Sequence, residues 1–156
     1  MLPSVYIETS IVSYLVARPS RDVIMAERQR QTREWWANRS QYTLFTSELV
    51  VDEAGRGEVA MARDRIGMLA GIPVLRTGPE IKALANTLVA RGPLPARAAT
   101  DATHISLATF AKIDYLLTWN CRHIANPSLY PAIQRVCRER GFTPPVLCTP
   151  SDLLRR

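Results

Sequence analysis

Short apolar runs recur along the chain, each bounded by polar or turn residues. They are Ser4–Ile7, Tyr42–Phe45, Pro73–Leu75 and Tyr115–Leu117, with Val146–Cys148 as a fifth. Runs this brief, apolar without alternation, are the pattern of strands buried on both faces of a parallel sheet. Helix-like segments lie between them. The stretch from Ser20 to Arg39 is long, with Ile24, Arg28, Gln31 and Trp35 tracking one face. Ser47–Arg56 follows the second run with Ser47 as N-cap, and Glu58–Leu69 comes next. Pro79–Arg91 carries proline in its first turn, and Thr100–Lys112 has Thr100 placed as N-cap. Ser128–Arg140 runs up to the stop at Gly141, and the final residues "SDLLRR" form a short helix or fray. Strands alternating with helices predict an α/β domain with a mainly parallel sheet of four or five strands. The best loop is "RGPLPARAAT", whose prolines separate two helices and which leads directly into Asp101. No repeat, linker or low-complexity tract interrupts the chain, so residues 1–156 read as one domain.

Composition narrows the class. No window approaches 18 consecutive apolar residues, which excludes a membrane-spanning helix. The first residues lack the basic and long apolar regions of a signal peptide. Cys121, Cys137 and Cys148 are odd in number and without CxxC spacing. A reduced, cytoplasmic protein is therefore expected. Net charge is +6, from 20 bases against 14 acids, and a basic surface favours a polyanionic partner such as RNA.

Ligands of open α/β sheets bind at the carboxyl ends of the strands. Glu8 ends the first strand, Glu53 lies two turns into the helix after the second, Asp101 opens the helix before the fourth, and Asn120 follows the fourth. Clustered carboxylates repel one another, and a hard divalent cation relieves the conflict. The other reading of Glu8 is a solvated strand end that caps a following helix. For Glu53 it is a surface helix acid, and for Asp101 a first-turn acid favoured by the helix dipole.

These residues sit in a wider pattern. "VYIETSIVSYL", "TSELVVDEAGRG" and "DATHISLATFAKIDYLLTWNCRHI" together resemble the PIN-domain ribonucleases, in particular the VapC-like toxins of toxin–antitoxin pairs. The resemblance implies a PIN-like α/β/α sandwich and cleavage of RNA phosphodiesters with Mg²⁺ or Mn²⁺. It places Glu8, Glu53 and Asp101 as metal ligands, with Asn120 in support. Glu8 stands where the family usually has Asp. Thr9 and Ser10 match the small hydroxyl residues that follow, and Thr118 with Asn120 matches the T-x-N after the fourth strand. Where some relatives carry a further Asp, this chain has His123. Thr9, Ser10, Arg56, Arg97, His104, Thr118, Trp119 and Arg122 are the expected substrate contacts: arginines for phosphates, Trp119 for base stacking, and His104, one helical turn from Asp101, either for substrate or for orienting a carboxylate. The resemblance also implies a homodimer and a small antitoxin partner. The alternative is an RNA-binding or interaction module of the same fold whose metal site has decayed, given Glu8 and Asn120.

Overall fold

The computed structural model describes all residues from Met1 to Arg156. Five strands form one sheet: β1 (Ser4–Ile7), β2 (Thr43–Ser47), β3 (Val74–Leu75), β4 (Tyr115–Leu117) and β5 (Val146–Cys148). Their order is β3-β2-β1-β4-β5, and every pairing is parallel. Successive strands step outward from β1 on one side, then return to its other side with β4. The carboxyl ends of β1 and β4 therefore flank the point where strand order reverses, the crevice in which such sheets hold ligands. Tyr6, at the centre of β1, pairs with Phe45 on one side and Leu116 on the other.

Eight helices flank the sheet: α1 (Thr9–Val16), α2 (Val23–Ala37), α3 (Glu48–Ala54), α4 (Val59–Met68), α5 (Pro79–Ala90), α6 (Ala99–Phe110), α7 (Tyr130–Glu139) and α8 (Pro150–Leu154). Between α5 and α6 the proline-rich segment makes a single 3-10 turn, Ala96–Ala98. α6 packs along α5, α8 along α2, and α1 against α2, α3 and α4. One core cluster of buried apolar residues runs through both helical layers and the strands. No helix is long and apolar enough to cross a membrane.

Side chains explain several element ends. Ser47 caps α3 by accepting from Val50 N at 3.1 Å. Glu58 caps α4 through the backbone N–H groups of Ala60 and Met61. Thr149 and Asp152 form a reciprocal capping box that fixes α8, so the last residues are helical rather than frayed. Thr100 does not cap α6: the helix starts one residue earlier, and its N-cap, Ala98, has no side chain to offer. α1 is an addition to the expected helices. The buried face of α2 also differs from expectation. Trp35 is buried as expected and Arg28 and Gln31 are half-buried, but Ile24 is 68% exposed, and Gln29 and Thr32 are buried instead. Gln29 is accommodated by bonding Arg18 O and Ser20 N, and Thr32 by accepting from the Trp119 indole. Apolar periodicity cannot find a face whose inward residues are polar.

α6 ends in a Schellman turn. Ile113 N donates to Ala108 O and Lys112 N to Thr109 O, with Lys112 at φ 57°. A lysine in the left-handed region costs roughly 1 kcal/mol relative to glycine. Lys112→Gly is expected to raise unfolding free energy by about that amount, measured by urea denaturation. An unchanged or lower midpoint counts against the strain.

Candidate active site

Glu8 is where strand becomes helix. Its N–H still pairs with Leu117 O of β4 at 3.2 Å, and its extended backbone (φ −85°, ψ 160°) makes it the N-cap of α1. The carboxylate folds over the helix start. Its Oε1 accepts from Ser10 N at 3.1 Å, from the Ser10 hydroxyl, and from Thr118 Oγ1 at 2.6 Å. Both hydroxyls are themselves fixed: Ser10 Oγ accepts from Trp119 N and Thr118 Oγ1 from Asn120 N. The acid is thus a helix cap, but it is buried at 8% exposure rather than a solvated strand end.

Glu53 reaches the same place from α3. Its Oε1 accepts from Thr9 Oγ1 at 2.6 Å and meets His104 Nε2 at 2.7 Å. Burial alone would push this carboxyl up. The bond from His104, that residue's charge, the Thr9 hydroxyl and nearby Arg56 together outweigh it and hold Glu53 below its ordinary value. It is therefore an anion, and His104 Nε2 must be the donor.

Asp101, in the first turn of α6, has its Oδ2 3.0 Å from His123 Nδ1. His123 N in turn donates to Asn120 Oδ1 at 3.0 Å. Asn120 therefore spends its side-chain oxygen on the loop after β4.

Ligand atoms of Glu8, Glu53 and His104 all lie within 4.8 Å of one another; Asp101 stands outside that group, held by His123. The donor set suits a hard cation. In each glutamate every protein hydrogen bond falls on Oε1, and Oε2 takes none. Two carboxylates each with one oxygen free of protein bonds match the one or two carboxylates through which Mg²⁺ is usually held. His104 fits less well as a ligand, because Nε2 is bonded to Glu53 and Nδ1 to Tyr6.

No protein-family model matches the sequence, and no curated protein sequence does. Structure is more informative. The model superposes on the crystal structure of Mycobacterium tuberculosis VapC20, a Sarcin-Ricin loop cleaving toxin, with a TM-score of 0.59. Identity is 17%, and the match covers 76% of this chain and 92% of that one. The chain has a PIN-like fold.

The expected substrate contacts divide on this PIN-like frame. Thr9, Ser10 and Thr118 bond the two glutamates, so they hold acids in place. His104 is 1% exposed and reaches Glu53, which leaves no surface for substrate. Trp119 does not offer a stacking face. Its ring lies between Tyr14 and the Arg28 guanidinium, 5.0 Å from the centroid, and its N–H is bonded to Thr32. Arg56, Arg97 and Arg122 are exposed, and none forms an ion pair or side-chain hydrogen bond within the chain. Tyr6 was not among the expected residues. Its signal in the sequence is a phenol inside a strand buried on both faces, where the hydroxyl must find a partner.

Proposed function

We propose that the protein is an Mg²⁺- or Mn²⁺-dependent endoribonuclease that hydrolyses RNA phosphodiester bonds. The observation that carries this is the pair of neighbouring glutamates at the strand-order reversal, each fixed through one oxygen with the other free of protein bonds. Glu8 and Glu53 hold the ion, with Asp101 completing the acidic side of the site and Asn120 ordering its loop. A bound divalent ion supplies charge at the scissile phosphate and lowers the pKa of the attacking water. Thr9, Ser10, Thr118 and His104 keep the two carboxylates from turning away. Arg56, Arg97 and Arg122 attract the phosphate chain. The fold shared with VapC20 supports the further reading that this is a toxin; a small antitoxin partner, a homodimer and a cytoplasmic location complete that reading.

One observation favours a second reading. Asp101 is paired with His123 and lies outside the tight group, as in an RNA-binding module of this fold with a weakened metal site. Incubation with mixed cellular RNA separates the two. Cleavage with Mg²⁺ or Mn²⁺ that chelation abolishes is the expected result; RNA binding indifferent to chelator, without cleavage, identifies the module.

RNA affinity is expected to fall steeply with salt, because phosphate contacts release counterions. Arg56→Ala and Arg97→Ala should each reduce the slope of log affinity against log salt by about one unit. An affinity flat from low to moderate salt removes the phosphate role of these arginines.

A further inference from the structure

Behind the two glutamates lies a buried chain of polar side chains. Ser47 Oγ meets Tyr6 OH at 2.7 Å, Tyr6 OH meets His104 Nδ1 at 2.7 Å, and His104 Nε2 meets Glu53 Oε1 at 2.7 Å. Ser47 and Tyr6 have no exposed surface, and His104 has 1%. Four elements contribute: β1, the last residue of β2, α3 and α6. The chain begins at the N-cap of α3 and ends on the sixth residue of the same helix, so it closes a loop.

Glu53 can only accept, so the donor at that end is Nε2–H. At the other end Val50 N–H donates to Ser47, and the Ser47 and Tyr6 hydroxyls and His104 Nδ1 lie in an unbroken hydrogen-bonded line between the two ends. Every member is satisfied, which a buried polar network requires. The Tyr6 and His104 rings also pack edge to face, 5.8 Å between centroids, so neither can swing without losing that contact.

We infer that Tyr6 and His104, anchored by Ser47, are positioning residues that lock the rotation of the Glu53 carboxylate and present Oε2 to a divalent cation. This rests on the reading of Glu53 as a metal ligand. It separates His104 from the ligand set that proximity alone suggests: both its nitrogens are spent, and its work is done through Glu53. Outer partners that orient a ligand typically change metal affinity by roughly 10–100-fold when removed.

The test is direct Mn²⁺ binding to the purified full chain, followed by electron paramagnetic resonance, with thermal unfolding of each metal-free variant. Tyr6→Phe keeps the ring and removes the link. His104→Asn leaves an amide that reaches toward Tyr6 but not Glu53, whereas His104→Gln places its N–H near the position of Nε2. His104→Asn is expected to weaken Mn²⁺ binding by roughly 10–100-fold, Tyr6→Phe, which leaves Nε2–H on Glu53, to weaken it less, and His104→Gln to recover part of what His104→Asn loses. In a Glu53→Gln background, Tyr6→Phe should cause no further loss, since the coupling runs through Glu53. A merely structural role would give equal, additive losses in both backgrounds and no recovery by His104→Gln, and that result overturns the inference. So does parental Mn²⁺ affinity in His104→Asn when Glu53→Gln alone binds weakly. If Glu53→Gln itself binds Mn²⁺ as the parent does, the ligand reading fails, and the inference with it.

Discussion

Glu53→Gln and Asp101→Asn are each expected to abolish RNA cleavage while leaving the fold intact. Each removes a charge at nearly constant volume. In Glu53→Gln the amide oxygen can stay on Thr9 and His104, so the N–H groups fall where Oε2 stood. A donor then faces the cation. In Asp101→Asn the amide oxygen can likewise keep His123 and the loop behind it. A metal-assisted step supplies several kcal/mol of transition-state stabilisation, and losing about 4 kcal/mol slows cleavage about a thousandfold. Metal-free stability of Glu53→Gln should be equal or slightly lower, because His104, Thr9 and Arg56 favour the anion at this position. Cleavage of mixed RNA at fixed Mn²⁺, with circular dichroism and thermal unfolding, decides it. Full activity in Glu53→Gln removes the site; full activity in Asp101→Asn alone confines it to the two glutamates.

Glu8 carries two roles, and its variants separate them. Glu8→Ala leaves Ser10 N, Ser10 Oγ and the fully buried Thr118 hydroxyl without their acceptor. Hydrogen bonds to a charged group are each worth roughly 1.5–3 kcal/mol, and a lost N-cap about 1 kcal/mol. Relief of repulsion from Glu53 offsets part of this, so a net loss of about 2 kcal/mol in metal-free unfolding free energy is expected, with no Mn²⁺ bound. Glu8→Gln keeps an acceptor for all three donors and should unfold within about 1 kcal/mol of the parent. It should still bind Mn²⁺ weakly and cleave slowly. Glu8→Asp withdraws the carboxylate by one carbon–carbon bond from Thr118, so the hydroxyl contact across β4 should be lost first. Glu8→Gln that binds Mn²⁺ and cuts RNA as the parent does would leave Glu8 a helix cap and nothing more.

What the sequence makes legible is uneven, and the unevenness is physical. The bounds of β1 and β4 follow from short apolar runs because both strands are buried on both faces. Four residues from distant segments come to one end of the sheet because parallel topology places strand ends together. α1 is hidden because its helix is started by Glu8 and filled with Ile11, Val12 and Val16, whose β-branches favour extended chain. The face of α2 is hidden because Gln29 and Thr32 go inward. In the sequence Tyr6 shows only as a phenol in a buried strand, and His104 only as a candidate one helical turn from Asp101. Their roles come from two 2.7 Å contacts spanning elements far apart along the chain, which no local period can encode.

The bond between Thr118 and Glu8 spans 110 positions. A ribosome adds about 5–20 residues per second, so Glu8 is made on the order of ten seconds before the hydroxyl that holds it. During that interval the nascent chain comes to carry Glu8, Glu53 and Asp101, and β2 to pair with β1, but β4 is missing. β4 arrives beside β1 late, and only then does Oε1 gain its last donor. Whatever chemistry the two glutamates support therefore waits on β4, since the acid of the first strand is not set until residue 118 has been made.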